Sequence, residues 1–357
     1  MDINQAAFGV TQAVVAQYRD AKMPNLGLSA WFPSVTTPAK QVSIAVRRSR
    51  QLVATDVLRA TSSNRNVFNK YTQKIFEPPF FNEAFDFTST QIYDNTFGMG
   101  VAPTGPQAGL MIDNATEYLI EVKYKIMRAI EKMRASILQF GTVTFVNGDS
   151  INFNRQSASM PVLTGANTWV AANVATANPL GDLAAGGKFL RQQGLSTGNI
   201  IDVIMGDNVG GYLTAFTQIT SERQIFANFR RADIGMPQYD NVTGLTFFGR
   251  IGTGDFIFNL WTYSDYYENA DGTKSKYIGD NMVCMIPNDV EAKTIYAGVP
   301  MVMGDAFSGG LYVGQQTGEF LVHDIIDPTK KSWDIITESA PLPIVVSVDR
   351  LYTIQVA

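Results

Sequence analysis

The sequence predicts a mixed α+β fold built along one long helix. A single apolar stripe from residue 114 to residue 140 indicates that helix. A β-hairpin signal follows the helix directly, and two extended segments before it carry too few apolar residues for a core of their own. A long helix that leads into a hairpin, in a chain with few other predicted helices, can support a wide, flat molecule.

The predicted helix over 114–140 has one apolar side. Positions three or four residues apart form that side: Leu119, Val122, Ile126, Ile130, Met133 and Ile137. Charged residues are expected on the other sides: Glu121, Lys123, Lys125, Arg128, Glu131, Lys132 and Arg134. Asn114 is expected to cap the start, with Glu117 three residues later, and Gly141 to end the helix in the left-handed conformation. Taken alone, the stripe also fits the core helix of a large enzyme.

The hairpin is predicted over residues 142–153. Alternating segments at Thr142–Val146 and Ser150–Phe153 flank Asn147 and Gly148. An Asn-Gly pair between alternating segments is a strong hairpin signal.

The segments before the helix are predicted to be extended. A short helix through Val10 and Val14 is expected to begin an irregular arm. Residues 40–83 are expected to form a long two-stranded excursion, and residues 84–113 a loop that leads to the helix. An isolated hairpin is marginal in water, so the excursion is expected to lie on another surface.

The excursion is strongly basic. Between residues 40 and 74 it contains one acidic residue, Asp56, and eight basic ones: Lys40, Arg47, Arg48, Arg50, Arg59, Arg65, Lys70 and Lys74. The rest of the chain holds 20 of the 28 basic and 31 of the 32 acidic side chains. Because few aromatic residues interleave for base stacking, docking on a neighbouring acidic surface is favoured over contact with DNA.

The region after residue 180 is predicted to be an α/β domain. A helix over Asp182–Gln193, the strand Ile200–Met205 and a helix through Phe216 begin it. Residues 244–262 are expected to form two strands broken between Gly249 and Gly254. A further hairpin is expected to turn at Asp271 and Gly272, between Phe256–Tyr267 and Met282–Pro287. Two strands are expected to end the chain.

The composition favours a subunit with much buried surface. Of 357 residues 45% are apolar, yet only 17% are charged, below the ~25% usual for soluble domains. Interfaces between subunits are depleted in charge and rich in aromatic residues, so burial in an oligomer explains the composition. A net charge of −4 argues against sequence-specific nucleic-acid binding. No signal peptide and no membrane span are predicted, which indicates a soluble protein made inside the cell.

No catalytic or cofactor site is predicted. The glycine-containing segments that begin at Gly206 and at Gly249 lack the spacing and context of phosphate-binding loops. A plain strand-to-helix turn is favoured at Gly206. His323, the only histidine, is expected on the surface of an acidic loop rather than in a metal site. Cys284, the only cysteine, is expected to pack as a small apolar residue.

Three stretches resemble one family. They are ILQFGTVTFVNGDSINFN from residue 137, KSKYIGDNMVCMIP from residue 274 and, most specifically, SAPLPIVVSVDRLYTIQVA from residue 339. They are similar to the major capsid proteins of lambda-like tailed phages, which have the Hong Kong 97-type capsid fold. The resemblance implies an N-terminal arm (1–35), an extended loop (36–95), a peripheral domain (96–180 and 331–357) around a spine helix (114–140), and an axial α/β domain (181–330).

The resemblance also implies a function without enzymatic activity. Copies of the chain would assemble in the host bacterial cytoplasm, as pentamers and hexamers, into the icosahedral shell of a virion around double-stranded DNA. Scaffold, portal and decoration proteins are the other expected partners, and no cofactor, metal or membrane is expected. Six residues are candidates for the subunit interface: Arg47, Arg48, Arg50, Arg59, Phe80 and Phe81. An encapsulin-like compartment shell and an uncharacterised α/β enzyme remain open as alternatives.

Overall fold

A computed structural model describes residues 26–46, 72–88, 106–145, 150–216, 219, 232–240, 243–269, 271–304, 311–327 and 329–357. The helices of these ranges are α1 (Pro106–Phe140), α2 (Pro179–Gln192) and α3 (Asp207–Ala215). The strands are β1 (Ser34–Thr36), β2 (Val42–Val46), β3 (Thr72–Phe76), β4 (Phe81–Thr88), β5 (Thr142–Thr144), β6 (Ser150–Asn152), β7 (Ile200–Met205), β8 (Ala232–Tyr239), β9 (Thr246–Thr253), β10 (Phe256–Thr262), β11 (Tyr266–Glu268), β12 (Lys274–Lys276), β13 (Met282–Pro287), β14 (Ala292–Tyr296), β15 (Val299–Gly304), β16 (Leu311–Gln316), β17 (Leu321–Asp327), β18 (Ser332–Ser339), β19 (Pro341–Val345) and β20 (Tyr352–Gln355).

A six-stranded sheet forms the centre of the fold, in the order β20-β13-β7-β10-β9-β8. β7 and β10 are parallel, and the other neighbouring pairs are antiparallel. One face packs on α2 and α3 through side chains such as Val203 and Leu213. The other face contributes Ile204 and Ile286 to the core that also contains α1. The sheet therefore lies between the long helix and the two shorter ones.

Helix α1 confirms the predicted stripe but begins earlier than predicted. Every stripe position is buried except Val122, which is partly buried against the same core. The helix spans 35 residues, about 52 Å at 1.5 Å per residue. Pro106 stands at its first position, where a missing N–H costs nothing. The predicted cap at Asn114 is therefore wrong, because the helix already runs through that residue.

Two three-stranded sheets pack along α1. The sheet β17-β18-β4 lies on its first half, where Trp333 and Ile335 meet Ala115 and Leu119. The sheet β1-β14-β19 lies on its second half and adds Leu342 to the main core. Residues 81–88, partly predicted as loop, are thus a strand, because β4 pairs along its whole length with β18.

The predicted hairpins have mixed outcomes. β5 pairs with β6, and β2 pairs with β3 at the base of the excursion, as predicted. The turn at residues 271–272 joins β11 to β12, whereas β13 pairs with β7 and β20 inside the central sheet. The predicted partnership of Met282–Pro287 with the first arm of that hairpin is therefore wrong. β9 also continues through Gly249, which sits at a φ of 146°, and the chain turns only at Gly254.

A buried ion pair joins α1 to three other segments. The Glu131 carboxylate accepts hydrogen bonds from the Leu28 N–H (2.7 Å), the Tyr263 hydroxyl (3.0 Å) and Arg134 Nη1 (3.2 Å). The Arg134 Nε and Nη2 atoms donate to Thr294 Oγ1 at 3.2 and 2.9 Å. Glu131 and Arg134 were predicted on exposed sides of the helix, and this is wrong, because residues 27–31, Tyr263 and β14 cover them.

Burial has the largest effect on Glu131 and raises the pKa of its carboxyl group. The charge of Arg134 and the hydrogen bonds from Leu28 and Tyr263 lower that pKa and oppose the effect. Burial therefore favours the protonated acid, whereas Arg134 and the donors on Leu28 and Tyr263 favour the carboxylate.

A second buried arginine closes the end of α1. Gly141 has a φ of 66°, as predicted for the residue that ends the helix, and its N–H bonds to the Ile137 carbonyl at 2.9 Å. Arg155 Nη1 donates to the Leu138 carbonyl at 2.7 Å, and its Nη2 donates to Thr353 Oγ1 on β20 at 3.1 Å. A Cβ atom on residue 141 would come within 2.4 Å of the Arg155 side chain. Glycine is therefore needed here both for its backbone conformation and for this contact.

Ile130→Asp is expected to prevent folding of the subunit. Ile130 is 2% exposed, and burial of an unpaired carboxylate costs several kcal/mol, comparable to the stability of a whole domain. Phe140→Asp, the same kind of change on the same helix at a side chain 56% exposed, should cost about 1 kcal/mol or less. Urea unfolding of dissociated subunits measures both, and equal stability of Ile130→Asp and wild type would show that the stripe is not core.

Arg134→Met is expected to cost about 3–5 kcal/mol, because it removes the cation that stabilises the buried Glu131 carboxylate. The double variant Arg134→Met/Glu131→Gln should lose less than the sum of the single changes, since the uncompensated charge is gone. The deficit of Arg134→Met should also shrink as the pH falls. The folded pKa of Glu131 lies above its unfolded value, so protonation favours the folded state, and this contribution is lost as the pH rises. Additive costs in a double-mutant cycle, with no pH dependence, would contradict this account.

Candidate inter-subunit surface

The base of the excursion carries exposed apolar side chains. β3 leads through residues 77–80 into β4, and the pair Pro78-Pro79 ends the ribbon there. Ile75 is 63% exposed and Phe80 is 53% exposed. Lys40 and Glu77 join the two sides of the base at 2.8 Å, but both are more than half exposed, so this ion pair adds little stability.

Two grooves flank the base. The larger, of about 1000 Å³, lies between the base, α1 and the β5–β6 hairpin. Its apolar lining includes Ile75, Phe76, Phe80, Phe81, Met133, Phe145 and Ile151. The smaller, of about 390 Å³, lies on the other side of residues 77–80 and reaches Val299 on β15 and Glu338 on β18. Because Phe80 lines both grooves, the turn that carries it separates them.

Phe80 and Phe81, the two predicted interface residues that the structure describes, differ in their exposure. Phe80 projects into both grooves and remains half exposed. Phe81 also lines the larger groove, but it is partly buried against the chain's own core. Arg47, Arg48, Arg50 and Arg59 lie outside the described residues. Ile75 was not predicted, although an apolar residue just before a Pro-Pro turn in a polar segment could have indicated it.

Cys284 and His323, the two residues considered for catalysis, both lie on strands. Cys284 is buried on β13, as predicted, and burial raises the pKa of its thiol to about 12. His323 is on strand β17 rather than in an acidic loop, because β17 pairs with β18. Its Nδ1 atom lies 3.9 Å from the nearest carboxylate oxygen of Glu338 and has no hydrogen-bond partner.

The loop after β7 is the plain turn that was predicted. Gly206 precedes α3, and a Cβ atom there would meet the Gly279 carbonyl oxygen at 2.0 Å. The glycine is therefore required for close packing of two backbones rather than for a phosphate. The described residues contain no group of three His, Cys, Asp or Glu side chains arranged to hold a metal ion. In the same residues, no helix is long and apolar enough to cross a membrane.

The Cys284 thiol is expected to be almost inert in the native protein. A pKa of about 12 leaves a negligible thiolate fraction at neutral pH, and only the thiolate is nucleophilic. Reaction with Ellman's reagent should be at least about 100-fold slower in the folded chain than in the same chain unfolded in guanidinium. Comparable rates in the two states would show that Cys284 is accessible and that β13 is not held in the sheet.

Comparison with known proteins gives a family match over most of the chain. The model of the family described as phage major capsid protein E matches residues 18–356. Among curated proteins, none matches the chain.

Solved structures of low sequence identity share the fold. A chain described as a capsid protein of a prophage from Escherichia coli CFT073 matches with a TM-score of 0.61 and 14% identity, over 100% of this chain and 99% of that one. A phage-related protein from Bordetella bronchiseptica RB50 matches with a TM-score of 0.54 and 11% identity, over 96% and 95%. The asymmetric unit of the mature capsid of bacteriophage PhiM1 matches with a TM-score of 0.50 and 10% identity, over 94% and 88%. The predicted α+β capsid fold is therefore confirmed.

Proposed function

Because the chain belongs to the family of phage major capsid protein E, it is a structural protein of the phage capsid, and we propose that its copies assemble as pentamers and hexamers into a closed icosahedral shell. The shell encloses double-stranded DNA without reading its sequence, and it forms in the cytoplasm of the host bacterium before it becomes part of the virion. The match over residues 18–356 is the observation that carries this proposal. A narrower form of the same proposal, predicted from the sequence, is that the chain is the major capsid protein of a lambda-like tailed phage.

The domain arrangement belongs to the proposal as well. Residues 1–35 act as an arm and 36–95 as an extended loop, residues 96–180 with 331–357 form the peripheral domain, and 181–330 form the axial domain around the capsomer axes. The pairing of β20 with β13 ties the last strand of the chain to the sheet of residues 200–287. The two domains would therefore move as one body during assembly.

The grooves at the excursion base support contact between copies. An exposed patch that contains Ile75 and Phe80, beside a groove of about 1000 Å³ with a mixed polar and apolar lining, is typical of an interaction surface. In the shell, part of a neighbouring copy would cover this patch. Scaffold, portal and decoration proteins are further proposed partners, and the subunit is expected to catalyse no reaction.

Phe80→Asp is expected to abolish shell formation while the subunit stays folded. The side chain is 53% exposed, so the change should shift the thermal midpoint only slightly, whereas an apolar contact between copies would gain a buried charge. Phe80→Leu is the matched control and should still assemble. Negative-stain electron microscopy and sedimentation of purified protein, with and without a scaffold partner, measure the result.

Three outcomes would count against these proposals. If wild-type chains remain monomers under every assembly condition, the proposed shell is wrong. If wild type and Phe80→Asp form shells equally well, the proposed shell is supported, but Phe80 makes no contact between copies that assembly needs. Shells purified from phage-producing cells should contain DNA, and shells that carry an enzyme cargo instead would favour the encapsulin-like alternative.

A further inference from the structure

The sheet β17-β18-β4 carries a block of oxygen-bearing residues on its face away from α1. Ile335 of β18 packs on α1, and side chains alternate across a strand, so Ser332 and Asp334 are on the opposite face. Asp86 of β4 is directly opposite Asp334 in the antiparallel pair. Thr88 is directly opposite Ser332. Because opposite residues share a face, with Cβ atoms about 5 Å apart, four neighbouring positions carry side-chain oxygen atoms.

Two of these oxygen atoms are buried without a partner. Ser332 is 5% exposed and Asp334 is 9% exposed. Among the described residues, neither Ser332 Oγ nor Asp334 Oδ1 has a hydrogen-bond partner. A buried polar atom that lacks a partner is unfavourable, and a buried carboxylate is more so. Such atoms are rare in folded proteins, and a bound ion is one of the few explanations for them.

The negative charges in this block are not balanced. Asp86 and Asp334 face each other across the strand pair, and like charges in that position repel. The strands β4, β17 and β18 contain no lysine or arginine. Within the part of the chain that the structure describes, no ion pair includes either carboxylate. The block therefore requires positive charge from outside these strands.

The ligand set matches a hard divalent cation. Ca²⁺ and Mg²⁺ bind oxygen ligands, and both complete their coordination with water molecules. Asp86 is exposed, so one side of the block is open to an entering ion and to water. A water molecule alone could satisfy the Ser332 hydroxyl but would leave the two carboxylates unbalanced. With two carboxylates and a hydroxyl, the block differs from a group of three His, Cys, Asp or Glu ligands, which the described residues lack.

We propose that Asp86, Ser332 and Asp334 form a binding site for a hard divalent cation, Ca²⁺ or Mg²⁺. We call these three residues the cation site. A cation bound there joins β4 to β18, removes the repulsion between the two carboxylates and provides a partner for the buried oxygen atoms. The inference goes beyond the proposed assembly, because the whole site lies within one copy and can be studied in dissociated subunits.

The first test is the thermal midpoint of dissociated subunits in EDTA and in a few millimolar CaCl₂ or MgCl₂. The midpoint of wild type should rise by about 2–4 °C with the preferred cation, because only the folded chain brings the ligands together. NaCl at the same ionic strength should raise it by less than about 1 °C, since screening does not fill the site. The larger shift at equal concentration identifies the preferred ion.

Two variants separate cation binding from structural effects. Asp86→Asn removes the repulsion, so its midpoint in EDTA should lie about 1–2 °C above that of wild type, yet the cation should add almost nothing. Ser332→Ala removes a buried hydroxyl without a partner, so its midpoint in EDTA should change little. It should need at least about 3-fold more cation for half of the shift, because one ligand is lost.

The matched control is Asp255→Asn, the same substitution at a carboxylate 80% exposed in the turn between β9 and β10. Its response to the cation should equal that of wild type. If Asp86 and Ser332 were merely structural, their variants would change the midpoint in EDTA and leave the response to the cation intact.

Direct binding can be measured with Tb³⁺, which replaces Ca²⁺ at oxygen sites and emits when a nearby indole is excited. Trp333 stands between Ser332 and Asp334 in β18, so it is well placed to sensitise this emission. The signal should saturate, should be displaced by the preferred cation, and should be lost in Asp86→Asn and in Trp333→Phe.

Three results would overturn the inference. A wild-type midpoint that responds to neither cation beyond the effect of NaCl would show that the two carboxylates tolerate their repulsion or share a proton. An equal response of wild type and Asp86→Asn would place the cation elsewhere. Tb³⁺ emission that survives Trp333→Phe would assign the bound ion to another tryptophan. None of these results depends on shell formation, so failure of the cation site is distinct from failure of the proposed function.

Discussion

The buried pair of Glu131 and Arg134 is the constraint on which the rest of the subunit depends. It lies in the second half of α1 and fixes residues 27–31, Tyr263 and β14 to that helix. Burial of a charge in the core is costly unless every donor and acceptor is satisfied, so the four segments must be present together. The helix is therefore a junction as well as an apolar backbone. This arrangement favours a subunit that is either wholly formed or not formed at all.

The strand β4 connects this rigid body to the proposed contact surface and to the proposed cation site. Its inner residues Phe85 and Phe87 pack toward α1, and Asp86 between them faces outward. Phe80, just before the strand, stands between the two grooves. A contact surface and a cation site thus lie near opposite ends of a single strand that the main core holds in place. The contact surface gains from burial on any neighbour, whereas a cation at the other end would join β4 to β18 and so support the strand that follows Phe80.

Features set by local periodicity could be predicted from the sequence. The stripe from Leu119 to Ile137, the left-handed Gly141 and the strand Ile200–Met205 all follow from spacing within a few residues. Features that depend on contacts between residues far apart in sequence could not be predicted. Glu131 and Arg134 were predicted to be exposed because charges on a helix are usually solvated, and Tyr263 and Thr294, which cover them, are more than 100 residues away in sequence. The pairing of Asp86 with Asp334 was missed for the same reason, since the two residues meet only through the register of two strands from opposite ends of the chain. The helix start was predicted too late because the cap was expected at Asn114, although residues 107–113 contain no proline that would keep them out of the helix.

The pairing of β4 with β18 has a consequence for the synthesis of the protein. Asn82 and Glu338, hydrogen-bonded across this pair, are 256 residues apart, so nearly the whole chain must leave the ribosome before the sheet can close. Contacts between distant residues also form slowly. A nascent chain, or one that ends prematurely, cannot complete either the pairing of Asp86 with Asp334 or the support behind Phe80. Only finished chains can then join a growing particle, and the fold itself acts as a check on the length of each building block.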